Sequence, residues 1–308
     1  RTSRKEMMAY LFIIDPIESL NKIKDSSLLL MKECLRRNIE VHFSEINQFS
    51  IYEGNVNIHS QKILSLEKGI KYQDTEMNLS SFFKKIFIRK DPPFDDDYLN
   101  LTYLLDHAVQ EGTDVINNPS SIRNHNEKLS ILNFQEIIPP TIVTSNASDV
   151  VNFLKIHEKI VLKPINGMAG NGIFVIDELD KNINSILETS TVNDTKVMMA
   201  QKYIPDIIEG DKRIIIIKGE PLPFCLARIP DGKDFRANLA KGGTGIAKKL
   251  TADDIKIVNV IKKYLVKSKL DFVGIDVIGK YLTEINVTSP TCLVEIENQT
   301  NFNGAEFI

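Results

Sequence analysis

Along the first third of the chain, short apolar runs alternate with polar breaks, and their spacing switches between strand-like and helix-like. Residues 7–14 are apolar throughout and read as a strand, stopped by Asp15 and Pro16. Asp25, Ser26 and Ser27 can cap a helix over 28–37. Residues 41–46 and 86–88 read as strands, the second halted by Asp91-Pro92-Pro93. A helix over 97–110 follows, with Leu101, Leu104, Leu105 and Ala108 at helical spacing, then a strand over 114–117. This β-α-β order predicts a largely parallel sheet covered by helices, an α/β fold, with ligands beyond the carboxyl ends of the strands. Asp15 and the Arg89-Lys90-Asp91 group sit at such ends.

Further along, the pattern predicts a helix over 126–135, a short strand after Pro139-Pro140 and a helix over 147–157. Residues 159–163 and 172–176 read as strands around a glycine-containing loop, and 196–201 as a third. Residues 213–218 and 222–228 read as a hairpin. Residues 230–245 are polar and glycine-containing, and are expected to form a mobile loop. Thr251 to Asp254 resembles a capping box for a helix reaching Lys267, with Ile255, Val258, Ile261 and Leu265 as its buried face. Strands over 272–278 and 282–287 close the pattern.

A length of 308 residues fits two or three packed subdomains. The net charge of −3 gives no electrostatic reason to expect nucleic acid or an anionic membrane as a partner. No apolar run approaches the roughly 20 residues that span a bilayer, and residues 1–8 do not read as a secretion signal. Three scattered cysteines (Cys34, Cys225, Cys292) point away from a disulfide framework or zinc site and towards a reducing cytosol. The five histidines lack metal-ligand spacing and read as surface or second-layer residues.

The sharpest chemical signal is the run DVIGKYLTEIN at 276–286. Glu284 and Asn286, two apart on a strand, face one side. A three-residue loop at 279–281 would put Asp276 opposite Glu284, while a two-residue loop would put it on the other face. The chemistry favours the first register, because three oxygen ligands on adjacent strands suit Mg²⁺ with substrate phosphates. The alternative is a solvated strand face. The second signal, KPINGMAGNG at 163–172, fits a strand-loop-strand flap over a triphosphate or a plain glycine hairpin. It is not a Walker motif, since no GK[ST] follows the loop. The third is cationic: Lys128, Lys163, Arg213, Arg228 and Arg236, of which the arginines at 213 and 228 begin and end the predicted hairpin. Met198 to Ile204 reads either as an apolar wall and hinge for a purine or as an ordinary core strand.

Together, Asp15-Pro-Ile, KDSS at 24–27, RKDPPFD at 89–95, NEKL at 126–129, Lys163-Pro, ARIP at 227–230 and TEINVTSPT at 283–291 resemble the ATP-grasp superfamily and, within it, the prokaryotic-type glutathione synthetase family. The resemblance implies a Rossmann-like N-terminal domain (1–125), then a two-part ATP-grasp domain (126–203 and 204–308). It implies ATP as co-substrate, Mg²⁺ with Mn²⁺ as a substitute, γ-glutamylcysteine and glycine as substrates, a cytoplasmic location and a homotetramer. By resemblance, Lys128, Lys163, Gly167, Gly170, Gln201, Lys202, Tyr203, Ile204, Arg236 and Asn238 would bind ATP. Asp276, Glu284 and Asn286 would bind the metal, Arg213 and Arg228 would be catalytic, and Asp15, Ser27, Arg89, Asp91 and Ser289 would receive the dipeptide. Ala169 departs from the family's glycine-richer loop, and residues 298–308 are unlike the terminal helix that the family carries there. Another ATP-grasp ligase, or a catalytically dead nucleotide-binding protein on the same fold, would share the phosphate and metal residues.

Overall fold

The computed structural model describes residues 9–75, 77–168, 170–230 and 243–308. Residues 7 and 8 of the first expected strand, Ala169, most of the expected mobile loop, Arg236 and Asn238 lie outside them.

The N-terminal part contains β1 (Ala9–Ile13), α1 (Ser26–Arg36), β2 (Glu40–Ser44), β3 (Phe49–Tyr52), β4 (Asn55–Ile58), β5 (Gln61–Ser65), β6 (Lys71–Asp74), β7 (Asn78–Leu79), β8 (Phe83–Ile88), α2 (Asp96–Gln110), β9 (Asp114–Ile116) and α3 (Pro119–Asn124). Among the described residues one sheet runs β6-β5-β2-β1-β8-β9, and its β2-β1-β8-β9 portion is parallel. Every residue of β1 is buried, as a strand covered on both faces requires. The Asp25 carboxylate caps α1 by accepting from the Ser27 and Leu28 amides at 2.7 and 3.0 Å. Strands β3 to β7 lie outside the expected pattern: β3 and β6 are largely exposed, so no alternation marks them, and the alternation of β4, with Val56 and Ile58 buried, spans only four residues. His42 departs from its expectation, being buried between Ser60 and Glu40 and edge-on to Phe82 and Phe83.

The middle part holds β10 (Thr141–Thr144), α4 (Ala147–His157), β11 (Lys159–Pro164), β12 (Phe174–Asp177), α5 (Ile183–Thr191) and β13 (Met198–Lys202), with sheet order β10-β13-β11-β12. The helix expected over 126–135 is only a 3-10 turn at Leu129–Asn133. One helical bond forms at its start, from the Ser130 amide to the Asn126 carbonyl, but the next carbonyl, that of Glu127, accepts instead from the Ile285 amide at 2.9 Å.

The last part holds β14 (Asp211–Ile217), β15 (Glu220–Ile229), β16 (Thr244–Lys249), α6 (Ala252–Lys267), β17 (Phe272–Ile278), β18 (Tyr281–Asn286) and α7 (Leu293–Thr300). Its antiparallel sheet runs β16-β15-β14-β17-β18. One sheet face packs on α6 through Ile257, Val258, Ile261 and Leu265. Ile255, expected on that face, is 39 % exposed; Ile257 takes its place because the buried stripe is set by Asp254, the capping-box residue held by Lys212. Beyond α7, Phe302, Ala305 and Ile308 fold back onto the core that contains α1.

Asn117 joins the first part to the last. Its buried side chain donates to the carbonyls of Phe272 and Val287, both at 2.8 Å, and accepts from the Phe272 amide at 2.7 Å. Each such bond contributes about 1 kcal/mol net. Asn117→Ala is therefore expected to lower unfolding stability by about 2–4 kcal/mol, read as a fall in the urea midpoint; an unchanged midpoint would show that the clasp carries no stability.

Candidate active site

The β17–β18 turn is Gly279-Lys280, two residues long, not three. Gly279 takes φ +57°, the positive value that tight hairpins need, and a Cβ there would collide with the Asp206 carboxylate. Asp276 nonetheless pairs with Glu284, because the register slips by one residue between Asp276 and Val277. This bulge at Thr283 restores the facing that a three-residue loop would have produced. The Thr283 hydroxyl donates to the Asp276 carbonyl at 3.1 Å.

The neighbouring strands extend the pattern. Arg213 on β14 lies directly opposite Asp276, and Asp211, two residues earlier, lies opposite Arg228 on β15. A charged row therefore crosses four strands. Arg213 grips both Asp276 oxygens, at 2.5 and 3.1 Å. Arg228 pairs with Asp276 at 2.9 Å and with Asp211 at 2.6 Å. Burial by itself pushes the Asp276 carboxyl up, but the two guanidinium groups hold it well below the usual range. Burial, with Asp276 and Glu284 nearby, pushes Asp211 upward against the pull of Arg228.

An open cleft lies over this row. Lys128, Lys163, Gly167, Gly170, Asp276 and Glu284 line it, together with Gln201 to Ile204. Both lysines are buried and aim at Glu284, at 3.4 Å from Lys128 and 4.0 Å from Lys163. Burial lowers the Lys163 pKa, with Glu284 opposing. Lys128 also donates to the Gly167 carbonyl at 2.6 Å, tying the glycine loop to the cleft floor. A Cβ on Gly167 would come within 2.6 Å of the Pro164 ring, so the loop folds against its own strand only with glycine there. Met198, Met199 and Ala200 are buried in the core, as the core-strand reading expects, while Gln201 to Ile204 line the cleft.

Arg213, Arg228 and Asn286 do not line the cleft. The arginines lie beneath it, and the Asn286 amide nitrogen donates to the Gly274 carbonyl at 3.1 Å, which leaves its oxygen for another partner. Among the described residues no three or more His, Cys, Asp or Glu side chains form a metal-holding group. The available donors are two carboxylates and one amide, an all-oxygen set that fits a hard cation sharing its shell with phosphates and water.

The remaining five expected residues converge on a second cluster. The Arg89 Nε donates to Ser27 Oγ at 3.0 Å, Ser289 Oγ to the Arg89 carbonyl at 3.2 Å, and the Asp91 amide to Asp15 at 2.9 Å. Lys90 pairs with Asp15 at 2.7 Å. Arg89 packs against the Phe272 ring at 5.1 Å, and its Nη1 is buried without a partner, a donor ready for an anionic ligand. Burial raises the Asp91 pKa, while the nearby Arg89 charge opposes it.

Asp211 and Glu127 escaped the sequence reading. Asp211 shows one signal in retrospect: an acid two residues before Arg213, hence on the same strand face. Its Oδ1 is buried without a partner.

Comparison with known proteins gives a consistent result. The family model described as prokaryotic glutathione synthetase, ATP-grasp domain, matches residues 127–301, and the corresponding N-terminal domain model matches 8–123. Glutathione synthetase from Vibrio parahaemolyticus is 44 % identical over 289 residues, covering 92 % of this chain and 91 % of that protein. The Escherichia coli K12 enzyme is 42 % identical with the same coverage. The Nitrosomonas europaea enzyme is 43 % identical over 97 % of this chain and 95 % of its own length. Among solved structures, a RiPP-associated ATP-grasp ligase from Chryseobacterium gregarium aligns with TM-score 0.63 at 17 % identity, over 96 % of this chain and 92 % of its own. D-cycloserine synthetase aligns with TM-score 0.63 at 12 % identity, over 96 % of each chain. At these identities the two structures speak for the fold.

Arg228→Met would leave Asp211 and Asp276 facing each other with one cation fewer. Removing one partner of a buried ion pair costs about 3–5 kcal/mol. The expected outcome is a lowered denaturation midpoint that Asp211→Asn, added to the same chain, partly restores; no recovery would mean that Arg228 is not neutralising Asp211.

Proposed function

This chain belongs to the prokaryotic glutathione synthetase family, and from that premise we propose that it joins γ-glutamylcysteine to glycine at the expense of ATP, releasing ADP and phosphate. The observation that carries the reading is the convergence of Lys128, Lys163, Asp276 and Glu284 on one cleft walled by Gln201 to Ile204.

In this reading the adenine rests against Gln201 to Ile204, and the phosphates point at Lys128 and Lys163 under the glycine loop. Asp276, Glu284 and Asn286 would hold Mg²⁺, with Mn²⁺ as a substitute, and the bound ion would neutralise phosphate charge. The Asp15, Ser27, Arg89, Asp91 and Ser289 cluster receives the dipeptide, with Arg89 Nη1 as the donor for a carboxylate. A carboxylate oxygen is a very poor leaving group, so the cysteinyl carboxylate takes the γ-phosphate and becomes an acyl phosphate. The glycine amine then attacks the acyl carbon and phosphate departs. Arg213 and Arg228, already locked by Asp276 and Asp211, add fixed positive charge beneath the reacting groups without needing to reorganise. Gly167 and Gly170 let the loop close and keep water from the acyl phosphate.

No helix among the described residues is long and apolar enough to cross a membrane. A cytoplasmic location and a homotetramer, as the family resemblance implies, are part of this proposal. Exposed Tyr52, Leu64, Met77 and Phe82 on the N-terminal part supply apolar surface that a neighbouring copy would cover.

The test is ADP release from MgATP with γ-glutamylcysteine and glycine, each omitted in turn. Release that needs both is expected, and Glu284→Ala should lower turnover at least ~100-fold, the scale of losing a main electrostatic stabiliser. ATP binding without release dependent on both substrates would overturn the reading, and near-normal turnover in Glu284→Ala would remove Glu284 from the metal site.

A further inference from the structure

Arg89 follows the last residue of β8 and is 4 % exposed. Burial works against its charge, and Asp25 and Asp91 attract it through space, without a hydrogen bond to it among the described residues. A buried guanidinium with so little direct compensation is costly. Its main chain is fixed: the amide donates to the Ile13 carbonyl at 2.8 Å, and the carbonyl accepts from Ser289 Oγ at 3.2 Å. Two contacts serve the side chain. Its Nε donates to Ser27 Oγ at 3.0 Å, and the guanidinium carbon lies 5.1 Å from the centre of the Phe272 ring.

Phe272 is itself held in place. It is the first residue of β17, 3 % exposed, and belongs to the core that contains Ile215, Ile217, Leu222 and Leu293. The Asn117 side chain grips both of its main-chain groups, accepting from the amide at 2.7 Å and donating to the carbonyl at 2.8 Å. The place of the ring is therefore set by the join between the first and last parts of the chain, before any ligand arrives. The face of an aromatic ring is electron-rich and attracts a cation, most strongly where water is excluded. With Nε turned to Ser27 and the ring against the guanidinium, Nη1 is left buried and without a partner. The ring thus makes the charge tolerable and also sets where that free donor points. A leucine would fill much of the same space and offer no such face.

We propose that Phe272 is a positioning residue for the acid substrate: its ring face holds the Arg89 guanidinium so that Nη1 stays aimed at a carboxylate of the dipeptide. The assignment rests on the ligase reading given above, in which Arg89 receives γ-glutamylcysteine.

The test measures KM for γ-glutamylcysteine, glycine and ATP separately, by ADP release, in the full chain, in Phe272→Leu, and in chains carrying mono-, di- or trifluorophenylalanine in place of Phe272. Leucine keeps the apolar packing and removes the ring. Fluorination keeps the shape of the ring and withdraws negative charge from its face. KM for the dipeptide should rise about tenfold in Phe272→Leu, the scale of a desolvated cation–π contact, and stepwise with each added fluorine, while the KM values for ATP and glycine stay as they were. A merely structural ring would move all three KM values together, or lower the urea midpoint with no change in any of them, and either result would overturn the proposal. If Phe272→Leu does not fold, the fluorinated series decides, since it preserves the packing; a dipeptide KM that is flat across it would overturn the proposal. An unaltered chain that releases no ADP in the presence of both substrates would overturn the ligase reading and the positioning role with it, whereas an active chain whose dipeptide KM ignores these changes overturns the positioning role alone.

Discussion

Burying a lone carboxylate costs several kcal/mol, and Asp276 is 4 % exposed in the middle of a five-stranded sheet. It is tolerated there because two guanidinium groups reach it, from the strand beside it and from the strand beyond. Much of the site follows from that demand. Arg213 must sit directly across from Asp276, so β14 pairs with β17 in this register. Arg228 must reach past β14, and Asp211 balances the second positive charge. Glu284 and the two lysines that face it then complete a site in which opposite charges alternate. The other sheet face, an unbroken layer of Ile, Val and Leu on α6, makes the arrangement rigid, since no strand can slide without exposing that layer.

Rigidity of this kind has a catalytic consequence. Charges that are already paired and immobile need not reorganise as charge develops on a substrate. The same ion pairs that make the buried row tolerable also aim Arg213 and Arg228 before any ligand arrives. The glycine loop behaves differently. Its side-chain ties include the Lys128 bond to the Gly167 carbonyl and the Asn126 amide, which reaches the Ile165 carbonyl and Asn166. Lys128 thus joins the loop to Glu284 as well as to the cleft, while Asn126 holds the loop's first residues separately.

Much of this was legible in the sequence, for physical reasons. The charged hairpin stood out because Asp276, Glu284 and Asn286 interrupt a run of apolar neighbours that only a buried strand pair would carry. The pairing of Asp276 with Glu284 was anticipated for the wrong reason: the turn is tight and the bulge at Thr283 makes up the difference. A bulge leaves no composition signal, because it is chosen by the partner strand. Strands β3 and β6 left no periodicity because both their faces are exposed, and β4, which does alternate with Val56 and Ile58 buried, is only four residues long. The 126–135 segment was misread because its helix-like spacing competes with the bond from Ile285 to Glu127, a contact with a strand some 160 residues away.

Glu127 shows why some residues that hold the site together escape a reading of motifs. Beside Lys128 it looks like one half of an exposed charge pair, and its meaning depends on residues 287 and 288, which the chain brings to it only after the last sheet has formed. Its Oε1 accepts from the Val287 and Thr288 amides and from the Thr288 hydroxyl, just beyond the strand that carries Glu284, while its main-chain carbonyl accepts from the Ile285 amide on that strand. The same stretch runs on to Ser289, whose hydroxyl donates to the Arg89 carbonyl of the first part. The beginning of the middle part, the end of β18 and the end of β8 are therefore fastened to one another, and a shift of β18 must strain both of its neighbours.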